Sequence, residues 1–245
     1  MTKLSIVIPT YNNLFFTQQI IGLIQQTTKI DYELIIVDNA STETGMQEYF
    51  KWLEKNTNLN LFGTIKIIKN EENLGVAKAW NIGIKEARGE YIAVLNNDIL
   101  IDNDCLERLI KYLDNGEADI ISPAFTHLAM PENWHELAMK QRFAPAELKE
   151  GAKGFFYIFK RELIKELKKP KQGYFIDEQF DMLWFEDTDL FARARAAGKK
   201  LRSASNVLIH HFESKSIALI PEANKYKAEN RDKFNKKYNI KQDDK

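Results

Sequence analysis

The sequence predicts an α/β protein folded as one compact domain, and three observations carry that reading. Short β-branched runs alternate with segments of helical periodicity through the first half, the signature of a parallel sheet covered by helices. Hydrophobic residues make up 44% of the 245 positions and charged residues 29%, the balance of a globular chain long enough to bury a substantial core. No internal repeat, low-complexity tract or clean linker divides the chain.

The first strand falls at Leu4 to Ile8, within 1-MTKLSIVIPTYNN-13. Phe16, Ile20, Leu23 and Ile24 follow at helical spacing, and Glu33 to Val37 reads as the second strand. Ser41 is a candidate cap for a helix carrying Met46, Tyr49, Phe50 and Leu53 on one face. Ile65 to Ile68 is the third strand. The helical segment 73-NLGVAKAWNIGIKEARGE-90 comes next, with Trp80 inside its apolar pattern and so read as packing. Tyr91 to Leu95 forms the fourth strand, 104-DCLERLIKYLDNG-116 a helix built on Leu106, Leu109, Ile110 and Leu113, and Asp119 to Ser122 the fifth strand. Residues 1–122 thus have the pattern of a nucleotide-binding half.

The second half is less regular. The segment 123-PAFTHLAMPENWHELAMKQRFAPAELKEGAKG-154 holds three of the six prolines and no clear strand, a kind of stretch that is often functional or mobile. A strand at Phe155 to Phe159, a helix from Arg161, a helix within 181-DMLWFEDTDLFARARAAGKKL-201 and a strand ending in 207-VLIHHF-212 follow. From Pro221 the tail reads as a terminal helix, with Tyr226, Phe234 and Tyr238 on a stripe interrupted by Asn230. The main domain is therefore expected over 1–220, its second half being 123–220, with 221–245 as a helical tail.

Formal net charge is zero, so no global field draws the chain to nucleic acid or anionic lipid. The single cysteine, Cys105, excludes an internal disulfide and reads as a packed thiol. The apolar run at the N-terminus is too short for a signal peptide and is interrupted by Pro9. No stretch approaches the roughly 20 apolar residues of a membrane span. A cytoplasmic protein is expected. The lysine-rich tail, 225-KYKAENRDKFNKKYNIK-241, either docks its aromatics on the body or makes a peripheral contact with a membrane or phosphate backbone.

Ligands of open parallel sheets bind beyond the carboxyl ends of the strands. Polar clusters stand at four such ends: Pro9-Thr10-Tyr11-Asn12, Asp38-Asn39-Ala40-Ser41, Asn73 with Gly75, and Asn96-Asn97-Asp98. Each alone reads as a turn or a helix cap. Their coincidence points to a ligand.

The order IVIPTYN, ELIIVDNAST, NLGVAKAWNIGI, ARGEYIAVLNND, WFEDTDLFARARAAGKKL and HHFESKS resembles the family 2 glycosyltransferases of the GT-A fold, through about Ser216. The resemblance implies a Rossmann-like, open, twisted mixed sheet flanked by helices. It implies inverting transfer of a sugar from a nucleotide diphosphate sugar to a glycan, lipid-linked or other hydroxyl acceptor, with a divalent metal, Mn²⁺ or Mg²⁺. On the same basis Thr10 and Tyr11 flank the base, Asp38 reads the pyrimidine or ribose, and Asn73 and Asn81 shape the nucleotide pocket. Pro9, Asn12, Asn39, Ser41, Gly75, Asn96 and Asn97 join them in the nucleotide-sugar site.

No Walker-type loop or GxGxxG is present to cradle a diphosphate with backbone amides, so a cation held by a carboxylate must neutralise it. The family's Asp-x-Asp site stands here as Asn96-Asn97-Asp98, which leaves Asp98 as the main acidic ligand. His211 matches the family's metal-binding His, with Ser216 as the hydroxyl that follows; a histidine at a strand end can equally be a packed side chain. His210 points to the other face of an extended segment. Imidazole favours Mn²⁺ over Mg²⁺.

Glu186-Asp187 reads either as an acidic first turn of a helix or, by resemblance to the family's Glu-Asp motif, as the catalytic pair. There Asp187 is the general base and Glu186 positions it or the acceptor. Arg193 and Arg195 either pair with acids or face water. Trp184 is a candidate for stacking on a sugar ring or a core residue, and Trp134 with His135 a candidate acceptor lid. Two rival readings are a sugar nucleotidyltransferase, which would carry a glycine-rich loop where PTYNN stands, and a non-catalytic module binding glycan or nucleic acid.

Overall fold

The computed structural model describes residues 2–56, 63–127, 130–168, 173–213, 215 and 217–240. Ser216 lies outside them. Four parallel strands open the sheet: β1 (Leu4–Thr10), β2 (Tyr32–Asp38), β3 (Gly63–Lys69) and β4 (Tyr91–Leu95). Beyond β4 the sheet becomes mixed. A two-residue β5 (Ile99–Leu100), β6 (Ile120–His127), β7 (Leu148–Glu150), β8 (Phe156–Lys160) and β9 (Leu201–His211) complete it, in the order β3-β2-β1-β4-β8-β6-β9-β5, with β7 also on β9. β8 is antiparallel to both β4 and β6, whereas β9 runs parallel to β6.

The apolar runs of the central strands are continuous because both faces are covered. Leu34 and Ile36 of β2 enter one core and Ile35 and Val37 the other, as the period of two in a strand demands. Helices α1 (Leu14–Thr27), α2 (Met46–Lys55) and α4 (Cys105–Asp114) bury Ile20, Phe50 and Leu109 in the first core. α3 (Val76–Glu86), α6 (Leu163–Leu167) and α7 (Glu186–Ala196) bury Trp80, Leu163 and Leu190 in the second. Cys105 is packed in the first core, where burial pushes its thiol pKa up. Strand order reverses between β1 and β4, the point at which an open sheet parts to leave a crevice.

Two expectations need correction. The segment 123–154 is not without strands: β6 continues through it to His127, and α5 (Trp134–Arg142) and β7 follow. Pro123 masked the strand, because proline argues against a central position; it sits where the β6–β9 register jumps from Ala204 to Leu208, and proline is accepted at such irregularities. Ser41 does not cap a helix. α2 starts five residues later, behind a left-handed Gly45, and Ser41 Oγ instead accepts the Asn12 N–H at 2.8 Å. The tail helix α8 (Ala223–Tyr238) follows the docking reading, with Phe234 against Phe180 and Phe185 of the body. Among the described residues no helix is long and apolar enough to cross a membrane.

Candidate active site

A cavity of about 440 Å³ opens at the reversal point. β1 contributes Pro9 and Thr10, and Tyr11 follows. Thr10 Oγ1 lies 3.0 Å from Thr17 Oγ1, and the buried Asn97 amide donates to Thr17 Oγ1 at 3.1 Å, so the three polar side chains satisfy one another. Asn39 donates to Asn73 Oδ1 at 2.7 Å, and that oxygen also accepts the Gly75 N–H at 3.0 Å. The network fixes the turn into α3, where Gly75 at φ 80° abuts the Met182 backbone.

Asp38, Asn12 and Ser41 stand behind this wall and do not line the cavity. Asp38 accepts the Ser41 N–H at 3.0 Å on one oxygen and the Gln47 amide at 2.8 Å on the other. Asn12 Oδ1 accepts the N–H groups of Thr42 and Glu43 at 2.8 and 2.9 Å. These residues brace the loops after β1 and β2 against each other.

At the end of β4, Asn96 donates its backbone N–H to Phe155 O at 2.8 Å. Asp98 is only 4% exposed, and its Oδ1 lies 3.3 Å from His211 Nε2. Antiparallel pairing of Ile99 with His211 brings the two together across β5 and β9. The His211 ring stacks on Phe155, centroids 4.2 Å apart, and its buried Nδ1 has no hydrogen-bond partner. His210 faces the other way, its Nδ1 2.8 Å from Thr126 Oγ1, and burial lowers its pKa. A buried carboxylate beside a buried imidazole fits a divalent cation of borderline softness. Among the described residues no cluster of three or more His, Cys, Asp and Glu forms, so such a cation would take its other ligands from what binds beside it.

The opposite wall is the start of α7. Glu186 is 6% exposed, and its Oε2 has no partner. Burial pushes its pKa well up, and the Asp187 carboxylate pushes it further. Asp187 is also raised by burial, against the pull of the Thr188 N–H and hydroxyl, which donate to Oδ1 at 2.6 and 3.1 Å. Gly154 closes over it: a Cβ there would meet Asp187 Oδ2 at 1.8 Å. Sequence reasoning missed this residue, whose only signal is a glycine just before a strand. Trp184 is half-buried and lines the cavity.

The family model described as Glycosyl transferase family 2 matches residues 5–177. The chain belongs to that family. It is 35% identical over 123 residues to the poly(ribitol-phosphate) beta-N-acetylglucosaminyltransferase TarP of Staphylococcus aureus, covering 49% of this chain and 36% of TarP. It is 26% identical over 176 residues to the dolichol-phosphate mannosyltransferase of Pyrococcus furiosus, covering 71% and 45%. The chain thus spans less than half the length of either relative. In fold it is similar to S. aureus TarS 1-349 in complex with UDP-GlcNAc, at a TM-score of 0.64 and 18% identity over 86% of this chain and 59% of that one. It is similar also to the mannosyltransferase PcManGT of Pyrobaculum calidifontis in complex with GDP-Man and Mn²⁺, at 0.66 and 19% over 87% and 57%.

Two site expectations are overturned by packing in this family 2 chain. Asn81 does not reach the nucleotide pocket, because its amide donates to Ile176 O at 2.8 Å and Glu178 Oε1 at 2.9 Å while its oxygen accepts the Ile176 N–H. Trp134 is no lid residue: it is 3% exposed and anchors α5. Arg193 is likewise structural, bound to Asp189 at 2.8 Å and to the carbonyls of Leu167 and Phe175.

Proposed function

We propose that the chain is a metal-dependent, inverting glycosyltransferase that moves a sugar from a nucleotide diphosphate sugar to an acceptor hydroxyl in glycan biosynthesis. The observation that carries this reading is one cavity with two chemically different walls, Asp98 and His211 on one and Glu186 and Asp187 on the other. Family membership supports the reaction class, and the fold neighbours holding UDP-GlcNAc, or GDP-Man with Mn²⁺, support the donor and the cation.

Asp98 and His211 would hold the cation, with Mn²⁺ preferred to Mg²⁺ because one ligand is an imidazole. Bound there, it would supply positive charge against the diphosphate leaving group. Thr10, Tyr11 and the Asn39–Asn73 turn form the nucleotide end, which Asp38 supports from behind. Asp187 takes the acceptor's proton; its raised pKa makes it a stronger base than an exposed aspartate. Glu186, raised further by its neighbour's charge, keeps its proton where Asp187 has lost its own. Two carboxyl groups so separated can act as acceptor and donor of hydrogen bonds side by side. Trp184 offers a flat apolar face to a sugar ring. Attack comes from the side opposite the leaving group, which inverts the anomeric centre.

A thermal-shift screen of nucleotide sugars with and without Mn²⁺, followed by donor hydrolysis and transfer, tests the reading. A donor that raises the melting temperature with Mn²⁺, and whose turnover stops in EDTA, is the expected result. Full turnover in excess EDTA would overturn the metal, and a screen with no stabilising nucleotide sugar would overturn the donor.

A further inference from the structure

The backbone that leads into Glu186 and Asp187 is strained. Met182, Trp184 and Phe185 all lie in the left-handed region, at φ 57°, 69° and 72°. Non-glycine residues persist there only where their surroundings over-determine them. Most of those surroundings come from α8.

Asn230, which breaks the aromatic stripe in the sequence, is fully buried. Its side-chain amide donates to Asp181 O at 2.7 Å and Leu183 O at 2.9 Å and reaches Trp184 O at 3.4 Å. One turn earlier, Lys227 Nζ lies 5.1 Å above the Trp184 ring. One turn later, Lys233 binds Asp181 Oδ2 at 2.7 Å and Gln179 O at 2.9 Å. Phe234 packs 5.5 Å from Phe185, and Lys237 joins the fully buried carboxylates of Asp177, at 2.7 Å, and Asp189. α8 therefore grips the loop at Asp181, Leu183, Trp184 and Phe185, on both sides of Met182.

We infer that α8 is a clamp that keeps the acid loop in its working geometry, with Asn230 as the positioning residue, so that transfer requires this helix while nucleotide binding does not. The inference rests on Asp187 as the base. α8, like the acid pair itself, lies beyond the span that the family model matches. Of its aromatic stripe, Phe234 packs on the loop and the Tyr238 hydroxyl bonds Asp189 of α7. The nucleotide end has separate support: the Val76 N–H donates to Met182 O at 2.7 Å, so α3 holds the far side of the loop without α8.

Asn230→Asp tests the clamp, because it keeps the shape and turns a carboxylate toward carbonyl oxygens. UDP and GDP with Mn²⁺ serve as binding probes, hydrogen exchange of the 181–187 amides reports the loop, and transfer reports function. The variant should bind the nucleotides within about threefold of wild type while kcat falls about 10²-fold, the cost of misplacing a reacting group by an ångström. Loop amides should exchange at least about tenfold faster. A folded variant with kcat within about threefold of wild type would overturn the clamp. Should Asn230→Asp not fold, the double variant Lys227→Met, Lys233→Met removes two surface ties, and unchanged loop exchange there would overturn it too. Exchange is read without substrate, so an inactive wild type whose variant loop still opens condemns the transferase reading and supports the clamp.

Discussion

Asp187 and Glu186 are neighbours in sequence with different surroundings, and their predictions separate accordingly. Asp187→Asn keeps size and turn geometry but cannot accept a proton, so the folded variant should bind donor and metal while its transfer rate falls by about 10²-fold or more. In wild type the rate should climb with pH through the raised Asp187 pKa to a plateau, a step absent from the variant. For Glu186 the sign follows from proton counting. Below the ordinary carboxylate pKa both folded and unfolded chains are protonated. Between that value and the raised folded value the unfolded chain releases its proton and the folded chain does not, so stability falls as pH rises. Glu186→Gln should therefore gain on wild type as pH rises from the ordinary carboxylate range, measured by urea unfolding at several pH values; a constant difference would contradict the buried, protonated glutamate. Asp98, His211 and Asp187 stand out in the sequence because a carboxylate or imidazole after an apolar run has few structural uses, and all three line the same cavity. Asn81 was not legible. An amide reads the same whether it faces a ligand or ties a loop, and only the carbonyl of Ile176 decides between the two.

At the scale of elements, β1, β2 and β4 were readable because both of their faces are buried, which leaves nearly unbroken apolar runs, and the edge strand β3 because exposed Thr64 and Lys66 alternate with half-buried Ile65 and Ile67. The segment 123–154 was not, since α5 buries little beyond Trp134 and Ala138 and so shows a weak helical stripe. That burial yields a prediction. Trp134→Ala should cost about 3–5 kcal/mol of stability by loss of a buried indole. At a temperature where the variant is folded, its transfer kinetics should match wild type within about twofold. A large rise in acceptor KM without loss of stability would restore Trp134 to an acceptor role. Asn230 shows the converse error, because a polar residue that seemed to interrupt an apolar stripe is the buried residue of its helix. Sequence periodicity registers hydrophobic burial and is blind to amides that pair with strained backbone.

For the molecule as a whole, the cavity joins the first four strands to the later elements, and on the proposed function two protein ligands would make a poor cation site alone. Mn²⁺ without nucleotide should therefore shift the melting temperature little. With a nucleoside diphosphate at a hundredfold excess over Kd, stabilisation should reach about 2.7 kcal/mol, several degrees for a chain of this size. EDTA should abolish that gain, and a full shift from Mn²⁺ alone would mean further protein ligands.

The short ladder between β5 and the end of β9 also governs how the molecule comes into being. Asp98 leaves the ribosome with the nucleotide half, long before His211 exists, and the two meet only when the last strand lies down beside β6. A nascent chain therefore carries the crevice before Asp98 and His211 meet beside it, and on the proposed function the metal would be captured only once β9 has been made. Pairing across so much intervening chain is slow to form. On the proposed function, capture of metal with nucleotide would then report the late docking of β9, and in a refolding experiment it should lag behind the return of helical signal.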